Sequence, residues 1–400
     1  MAIPPVVALE IGTSKVVALV GEMRNDGHIM ITGIGEHPSV GVRKGEITDL
    51  ENAAVCVRAA LALAEESSRV AIRQVHLAVS GGHIQSVVNR GTVPVQDPEH
   101  IIRAEDVEQV KEVARAVNLP VDRAVLHTIS QHYHVDDQGA VLNPEGLEGA
   151  RLALDMLVLH GLRARVRNAM RVVASIPIEV EDVAFGGLCA ALAVLTPEQK
   201  KAGVVLIDCG GGTTDYWAYA GGVVAAAGSL GVGGDHVTND IMMAFNIPAS
   251  QAEVLKRQSG SALVKAAGAG QRVALPAEVG FAGRSVSLRA LHTVMHARMD
   301  EILGAIRRRL DQQGLLRNVG AGVVLTGGGA LMKNVTELAQ RIFGLPCAIG
   351  RPRNVAGLAT PTEGPEYATV CGLLQYGFRH AAAREPALRG WFRRLFGGRD

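Results

Sequence analysis

The sequence has few aromatic residues, few cysteines and almost no net charge. Phenylalanine, tryptophan and tyrosine make up 4% of its 400 residues, which disfavours the aromatic stacking surfaces that bind single-stranded nucleic acid. The five cysteines never form a Cys-x-x-Cys pair, so neither a zinc site nor a disulfide framework is expected, and a reducing cytoplasm is the natural compartment. The net charge of +1 gives no overall field that attracts polyanions. We expect no nucleic-acid partner.

Long apolar runs suited to crossing a membrane are also lacking. An uncharged stretch at residues 216–234 contains six glycines, too many for a stable spanning helix, and we predict two short strands followed by a glycine loop there. The first five residues lack a basic segment followed by an apolar core, so no signal peptide is expected. The length exceeds what one hydrophobic core usually holds, which predicts two or more lobes.

Three segments combine a β-rich apolar run with a turn of small residues. The runs are residues 6–9, 204–207 and 322–326, and the turns that follow are Glu-Ile-Gly-Thr-Ser-Lys, Asp-Cys-Gly-Gly-Gly-Thr-Thr-Asp and Gly-Gly-Gly. The first two segments are predicted to be hairpins, which suggests a duplicated lobe. One glycine turn alone is more often a packing feature than a ligand site. Together, the turns favour a clamp on phosphates, since backbone amides at glycine approach a phosphate closely and acidic residues orient Mg²⁺ through water.

Hydrophobic periodicity predicts the remaining secondary structure. Helices are expected at residues 51–68, 101–117, 162–173, 183–195, 288–313, 332–343 and 366–382. Strands are expected at residues 74–80, 87–95, 124–134 and 151–159. The polar stretch at residues 196–201 is interpreted as an irregular connection between the lobes.

The turns and five further segments resemble the FtsA family of bacterial cell-division proteins, within the actin-like ATPase superfamily. The segments are Gly-Glu-Ile-Thr-Asp-Leu-Glu at 45–51, Val-Ser-Gly-Gly-His-Ile at 79–84, Asn-Pro-Glu-Gly-Leu at 143–147, Ala-Val-Leu-Thr at 193–196 and Val-Thr-Asn-Asp-Ile at 237–241. The resemblance covers nearly the whole chain. It implies an α/β, actin-like (ribonuclease H-like) fold of two lobes, with duplicated β-hairpin phosphate loops and an inserted subdomain 1C.

The resemblance also implies a division of the chain into subdomains. Subdomain 1A is expected to comprise residues 1–81, 161–197 and a final helix at 365–382, with 1C inserted at 82–160. Subdomain 2A would comprise residues 198–235 and 306–364, and 2B would comprise 236–305. Residues 383–387 would form a short linker before a tail at 388–400.

Site residues follow from the same resemblance, which implies that ATP and Mg²⁺ are the ligands. The residues implied to bind the nucleotide are Gly12, Thr13, Ser14 and Lys15 in the first turn, Gly210, Gly211, Gly212, Thr213 and Thr214 in the second, Gly327, Gly328 and Gly329 near the adenosine, Gly234 at the start of 2B, and Glu253 and Lys256 beside the ribose and adenine. The metal site would be formed by Glu10, where the superfamily usually has an aspartate, and Asp208. For Glu253 and Lys256, a solvated helix face is an equally weighted alternative.

Weak or absent ATP hydrolysis is expected from one position. Related ATPases place a glutamate or glutamine near the cleft to orient the attacking water, and the resemblance puts Gly186 there. A glycine has no group that holds a water molecule. The chain is therefore expected to bind ATP without being an efficient ATPase.

The last residues form the pattern of an amphipathic, membrane-binding helix. The residues that carry this prediction are Leu388, Trp391, Phe392, Leu395 and Phe396 on one face, with Arg393 and Arg394 opposite. Aromatic and leucine side chains with flanking arginines suit the boundary between lipid headgroups and acyl chains, where arginines attract anionic lipids. A terminal helix that docks on its own domain is the alternative.

The resemblance implies a membrane-tethered, filament-forming protein that acts at the cytoplasmic face of the division site. Arg298 and Glu301 match its Arg-x-x-Glu pattern for binding the C-terminal peptide of FtsZ, although an intrahelical ion pair would explain them equally well. Later division proteins would bind subdomain 1C. Two alternatives within the superfamily are a pilus-assembly ATPase resembling PilM, which the tail disfavours, and a sugar or acetate kinase, which needs a catalytic acid in the cleft.

Overall fold

The computed structural model describes residues 4–384 except residues 25, 269, 276–282 and 358–362. The strands in this part are β1 Val6–Ile11, β2 Lys15–Met23, β3 Ile29–Pro38, β4 Val42–Arg43, β5 Glu46–Ile47, β6 Gln74–Val79, β7 Gln85–Pro94, β8 Arg123–Val135, β9 Ala140–Val141, β10 Arg151–Leu162, β11 Glu179–Phe185, β12 Val204–Cys209, β13 Thr214–Ala220, β14 Val223–Leu230, β15 Arg272–Leu275, β16 Arg284–Ser287, β17 Val323–Thr326, β18 Cys347–Ile349 and β19 Val355–Gly357. The α-helices are α1 Leu50–Ser68, α2 Ala104–Arg115, α3 Arg163–Ala174, α4 Gly186–Val194, α5 Pro197–Ala202, α6 Gly234–Phe245, α7 Ala249–Ser259, α8 Leu288–Gln312, α9 Val335–Phe343 and α10 Ala368–Arg384.

Two β-sheets of matching topology lie at the centre of the fold. The first has the strand order β11-β6-β1-β2-β3-β19 and the second has the order β14-β13-β12-β17-β18. In each sheet three strands that follow one another in sequence pair antiparallel, namely β1-β2-β3 and β12-β13-β14. Two later strands add in parallel on the other side of the first of these, β6 and β11 beside β1, and β17 and β18 beside β12. Apart from β19, the two orders are the same, so the duplication predicted from the two hairpins is confirmed.

The sequences of the central strands explain why they occupy the middle of the sheets. In Val6–Ile11 five of six side chains are buried, and the same is true of Val204–Cys209. Such nearly continuous apolar runs are typical of strands that are covered on both faces. Helices α1 and α10 pack against the first sheet. Alternate buried residues of the second sheet, such as Val205 and Ile207, form one cluster with those of helices α6 to α9, while Val204 and Leu206 belong to the cluster of the first sheet.

A separate small sheet is inserted between β6 and β11. Its strand order is β7-β10-β8-β9, and α2 packs against β7 and β10. The inserted unit has its own cluster of buried residues, which includes Val110 of the helix and Leu152, Leu154 and Met156 of β10. This segment therefore has the small hydrophobic core expected of a distinct subdomain.

Two secondary-structure predictions were wrong. Residues 183–195 were expected to form one helix, but β11 continues through Phe185 and α4 begins only at Gly186. A short apolar run does not distinguish a buried strand from a buried helix, and here Ala184 and Phe185 pair in parallel with β6.

Residues 196–201 were expected to be irregular, but they lie in the short helix α5 and its cap. Thr196 and Gln199 form a capping box there, which stabilises the start of the helix.

The other predicted helices and strands are confirmed, with bounds that differ by a few residues. The region 216–234 forms the predicted pair of strands, β13 and β14. Among the described residues, no helix combines the length and the hydropathy needed to cross a membrane. The predicted tail at 388–400 lies outside the described residues.

Candidate functional site

The first two predicted turns close with the same backbone geometry. The amide of Gly12 donates to the carbonyl of Lys15 over 3.0 Å, and the amide of Gly210 donates to the carbonyl of Thr213 over 2.9 Å. Each turn joins two antiparallel strands, β1 to β2 and β12 to β13. The two turns are therefore structurally equivalent parts of the two sheets.

The two turns approach each other so closely that one glycine is required. A Cβ atom on Gly212 would overlap the hydroxyl oxygen of Thr13 and would lie 2.9 Å from the backbone nitrogen of Lys44. The Thr13 hydroxyl is held in place, because it accepts a hydrogen bond of 3.0 Å from the amide of Gly45. Any larger residue at position 212 would push the two lobes apart.

A cavity of about 790 Å³ lies between the turns. Among its lining residues are all of those implied by the family resemblance to bind nucleotide or metal: Glu10, Gly12, Thr13, Ser14, Lys15, Asp208, Gly210, Gly211, Gly212, Thr213, Thr214, Gly234, Glu253, Lys256, Gly327, Gly328 and Gly329. The structure thus brings together residues separated by more than 300 positions of sequence in one concave site.

The third turn is shaped by a glycine in the left-handed region. Gly327 has a φ of 78°, a Cβ there would overlap the carboxylate of Asp208, and its amide donates to the carbonyl of Pro365 over 3.0 Å. By contrast, a Cβ on Gly328 would have no atom within 4 Å. The turn therefore packs on one side against the second hairpin and leaves space on the other.

Three of the carboxyl groups that line the cavity, those of Glu10, Asp208 and Asp215, have strongly raised pKa values. Burial and the charge of Asp208 raise the pKa of Glu10 to about 8. Burial raises the pKa of Asp208 to about 6, and burial together with the charge of Asp208 raises that of Asp215 to about 7. Burial and mutual repulsion disfavour the ionised form of such carboxyl groups, and a bound cation favours it. This donor set suits a hard cation such as Mg²⁺.

Neighbouring hydroxyl groups orient two of these carboxylates. Thr369 donates to Asp208 over 2.6 Å, and Ser80 donates to Asp215 over 2.6 Å. Gly186 lies beside this second pair, since a Cβ on it would overlap the Ser80 hydroxyl and lie 3.0 Å from the carboxylate of Asp215. Gly186 is therefore buried behind two residues that line the cavity, Ser80 and Asp215, and its position has no room for a glutamate side chain without rearrangement.

The predicted ligand Lys15 is engaged in a small network at the edge of the cavity. Its ammonium group lies 2.9 Å from the carboxylate of Glu36 and 3.7 Å from the ring centre of Tyr367. The Tyr367 hydroxyl donates to the same carboxylate over 2.8 Å. Hydrogen bonds to Glu36 and Tyr367 outweigh burial and raise the pKa of Lys15, so its positive charge is held at the cavity edge.

The pair on α7, Glu253 and Lys256, lies on the cavity wall. The Lys256 ammonium group lies 2.6 Å from the carboxylate of Glu253 and donates to the carbonyl of Gly234 over 3.1 Å. The Thr238 hydroxyl donates to Glu253 over 2.5 Å. The Lys256 side chain is only 14% exposed and that of Glu253 is 32% exposed, so a solvated face does not describe Lys256, and the nucleotide role of the pair stays a prediction.

The other predicted pair lies outside the cavity, on α8. Arg298 makes two hydrogen bonds to the carboxylate of Asp240 on α6, of 2.6 and 3.0 Å, and one of 2.6 Å to Glu301. The intrahelical ion pair is therefore present, and Arg298 also joins two helices. Glu301 is 63% exposed and is the more accessible of the two.

Several cavity residues were not predicted from the sequence. Among them are the polar residues Glu36, Ser80, Asp215, Lys333, Tyr367 and Thr369. Asp215 had a detectable signal, because it is the cross-strand partner of Asp208 in the predicted hairpin. The others come from distant segments, and no local pattern connects them to the turns.

The raised carboxyl pKa values predict a pH dependence. Without a cation, the folded chain binds protons more tightly than the unfolded chain, so the free energy of unfolding should decrease as the pH rises from about 5 to 8. Since Mg²⁺ competes with these protons, its affinity should increase over the same range. Thermal-unfolding titrations with Mg²⁺ at both ends of the range measure this change. Equal affinities, or an Asp208→Asn variant with an unchanged pH profile, would contradict the assignment.

Comparison with known proteins decides the family. A family model described as cell division protein FtsA matches residues 205–372, and one described as an SHS2 domain inserted in FtsA matches residues 81–160. The Cell division protein FtsA of Pseudomonas aeruginosa is 37% identical over 374 residues, which cover 94% of this chain and 89% of that protein. The chain belongs to the FtsA family. A relative of the same name from Neisseria meningitidis is 33% identical over 377 residues, 94% of this chain and 89% of that protein.

Solved structures support the same fold for this FtsA-family chain. A PilM–PilN type IV pilus biogenesis complex matches with a TM-score of 0.64 and 17% identity, covering 93% of this chain and 98% of that one. MreB5 of Spiroplasma citri bound to ADP matches with a TM-score of 0.53 and 16% identity, covering 96% and 98%. The predicted actin-like fold with an inserted subdomain is confirmed, and membership of a cell-division family replaces the pilus-assembly and kinase alternatives.

Proposed function

We propose that this FtsA-family protein binds ATP and Mg²⁺ in the cavity between its two hairpin turns. One observation carries the proposal, namely two equivalent glycine turns that face each other across a cavity where the carboxyl groups of Glu10, Asp208 and Asp215 have strongly raised pKa values. Glycine turns present backbone amides to phosphates. Mg²⁺ neutralises phosphate charge and is held largely through its water molecules.

Each part of the cavity would have a distinct role in holding the nucleotide. The turns at Gly12–Lys15 and Gly210–Thr213 would bind phosphates from opposite lobes. Glu10, Asp208 and Asp215 would hold the waters around Mg²⁺, and Glu253 with Lys256 would flank the ribose and adenine. The space beside Gly328 would take the adenosine. The crowding of Gly186 against Ser80 supports the expectation of weak or absent hydrolysis.

The wider proposal is that the protein forms actin-like filaments that tether the FtsZ ring to the cytoplasmic face of the membrane at the division site. Subdomain 1C, residues 82–160, would recruit later division proteins. Residues 388–400, with their stripe of apolar side chains and opposed arginines, would bind anionic lipids. A filament that presents many such tails would bind a membrane much more firmly than a monomer, through avidity.

The decisive experiment is vesicle co-sedimentation of the full chain with ATP, with ADP and without nucleotide, imaged for filaments by electron microscopy. We expect ATP with Mg²⁺ to give filaments and the largest sedimented fraction. An Asp208→Asn variant should lose this nucleotide response. Equal sedimentation in all three states, with no filaments in any, would contradict the proposal.

The FtsZ peptide interaction is best tested at Glu301. Replacing the exposed Glu301 by alanine should weaken peptide binding roughly tenfold and leave the melting temperature unchanged, since exposed ion pairs contribute at most about 1 kcal/mol. Arg298→Ala is a less clean test, because it leaves the half-buried carboxylate of Asp240 without its partner. Fluorescence anisotropy with a labelled FtsZ C-terminal peptide gives the affinity. Unchanged binding by both variants would remove this surface from the proposal.

A further inference from the structure

A cluster of two histidines and a glutamate lies where α10 packs against the β11 edge of the first sheet, outside the nucleotide cavity. His76 belongs to β6, Glu181 to β11 and His380 to α10. One potential ligand atom from each side chain lies within 4.8 Å of the other two. The side chain of His76 is 2% exposed, that of Glu181 19% and that of His380 27%, so the cluster is half-buried and reachable from solvent.

An irregularity in β11 brings two carboxylates to this point. The parallel register with β6 shifts between Val180 and Asp182, so Asp182 pairs with His76 and Glu181 is left as an extra, unpaired residue beside this pair. A β-bulge re-aims side chains that would otherwise alternate between faces. As a result, a Glu181 oxygen lies 3.8 Å from Nδ1 of His76, and an Asp182 oxygen lies 3.6 Å from Nε2 of His380.

The helix α10 lies close to the sheet at the same place. A Cβ on Gly377 would be 3.0 Å from Nδ1 of His76, so the glycine permits the close approach. His380 is one turn further along the helix, and its ring lies edge-on to His76 with 5.8 Å between centroids. Nδ1 of His380 is buried and has no hydrogen-bond partner among the described residues.

We propose that His76, Glu181 and His380 form a binding site for Zn²⁺ that fastens α10 to strands β6 and β11. Two imidazoles and one carboxylate are a common zinc ligand set. Ligand atoms about 2.0–2.1 Å from a tetrahedral ion lie about 3.3 Å apart, so small rotations of Glu181 and His380 would complete the site. The absence of Cys-x-x-Cys pairs from the sequence does not bear on this site, because the site has no cysteine ligand.

Neighbouring groups supply the outer contacts that a metal site needs. The amide of Gln74 donates to Glu181 over 3.2 Å, and the Tyr376 hydroxyl donates to Asp182 over 2.7 Å. Asp182 is thereby placed next to a ring nitrogen of His380. Carboxylates in this position orient histidine ligands and increase their basicity, and the loss of such contacts typically weakens metal binding 10–100-fold.

The test is a Zn²⁺ titration of chelator-treated full-length protein by isothermal calorimetry, with excess Mg²⁺ present to occupy the nucleotide cavity. Cobalt absorption spectra report the coordination geometry. We expect one site per chain, an increase in melting temperature with Zn²⁺, and tetrahedral cobalt bands. His380→Ala and Glu181→Gln should each weaken binding roughly tenfold or more and abolish the thermal shift.

A matched control is His28→Ala, which removes a histidine 3.5 Å from a single carboxylate, Asp26, on an exposed loop. It should bind Zn²⁺ like the unaltered protein. A Cys347→Ser background excludes a thiolate contribution from the one described cysteine that is not buried. The proposal would be overturned if the unaltered chain did not bind Zn²⁺, or if His380→Ala and Glu181→Gln bound it as tightly as the unaltered chain does. If His380→Ala fails to fold, Glu181→Gln still decides it.

Discussion

Replacing Trp391 by glutamate should release the full-length protein from anionic vesicles. The substitution puts a charge in the middle of the predicted apolar stripe, at a cost of about 2.5–3.5 kcal/mol on the scale for charged residues in bilayers. Burial of five apolar side chains contributes roughly 7–15 kcal/mol at most, and ordering about ten residues costs roughly 10 kcal/mol or more. Because the balance between these two terms is marginal, the fraction of monomer that sediments with vesicles should fall to the fraction that sediments without vesicles.

The matched control for Trp391→Glu is Gly397→Glu. It changes the net charge by the same amount, but helical spacing puts residue 397 opposite the stripe, so vesicle binding should be largely retained. Replacing both Arg393 and Arg394 by glutamine should weaken binding less, and chiefly at low salt, since salt screens exposed charges. A chain truncated after residue 383 that binds vesicles normally would refute the membrane role. A large loss of thermal stability in that truncation would instead indicate a docked structural helix.

A set of three glycine substitutions should separate closure of the nucleotide cavity from occupation of it. Gly212→Ala forces a Cβ into the space held by the Thr13 hydroxyl and the backbone of Lys44. Because both neighbours are fixed by their own hairpins, we expect a lower melting temperature and a loss of ATP affinity of roughly 100-fold, equivalent to about 2.7 kcal/mol. Calorimetric unfolding and a titration with a fluorescent ATP analogue measure the two effects.

Gly328→Ala should behave differently, because its Cβ would have no protein atom within 4 Å. The melting temperature should be unchanged, while ATP affinity falls if the adenosine occupies that space. Gly139 lies between β8 and β9, outside the cavity, and a Cβ on it would also meet open space. Gly139→Ala should therefore change neither the melting temperature nor the ATP affinity. ATP affinity that is unaffected by both Gly212→Ala and Gly328→Ala would show that the nucleotide binds elsewhere.

The sequence was sufficient to predict the duplicated hairpins and the turns that line the cavity. Turn chemistry is local, and a strand followed by glycines is visible without knowledge of the fold. Asp215 was missed although it lies within the second motif, because its place opposite Asp208 emerges only when the hairpin register is drawn. The strand β11 was missed because an apolar run buried in a parallel sheet has no distinguishing period.

Other features could not be predicted from local patterns at all. The network of Lys15, Glu36 and Tyr367 joins residues 331 positions apart, and the hydrogen bond from Thr369 to Asp208 spans 161 positions. The side-chain arrangement at His76 depends on a single-residue bulge in another strand. Such contacts arise from packing between elements, so their identification requires the folded chain.

Helix α10 runs from the nucleotide cavity to the residues that precede the predicted tail in sequence. Its first turn contributes Thr369 to the cleft, and the segment just before it contributes Tyr367 to the cleft edge and the Pro365 carbonyl to the third glycine turn. Its 17 residues form a rod about 25 Å long, and the predicted membrane segment follows its far end in sequence. A ligand that displaces Thr369 or Tyr367 would therefore shift one end of a stiff helix, and the proposed membrane-binding segment follows the other end in sequence.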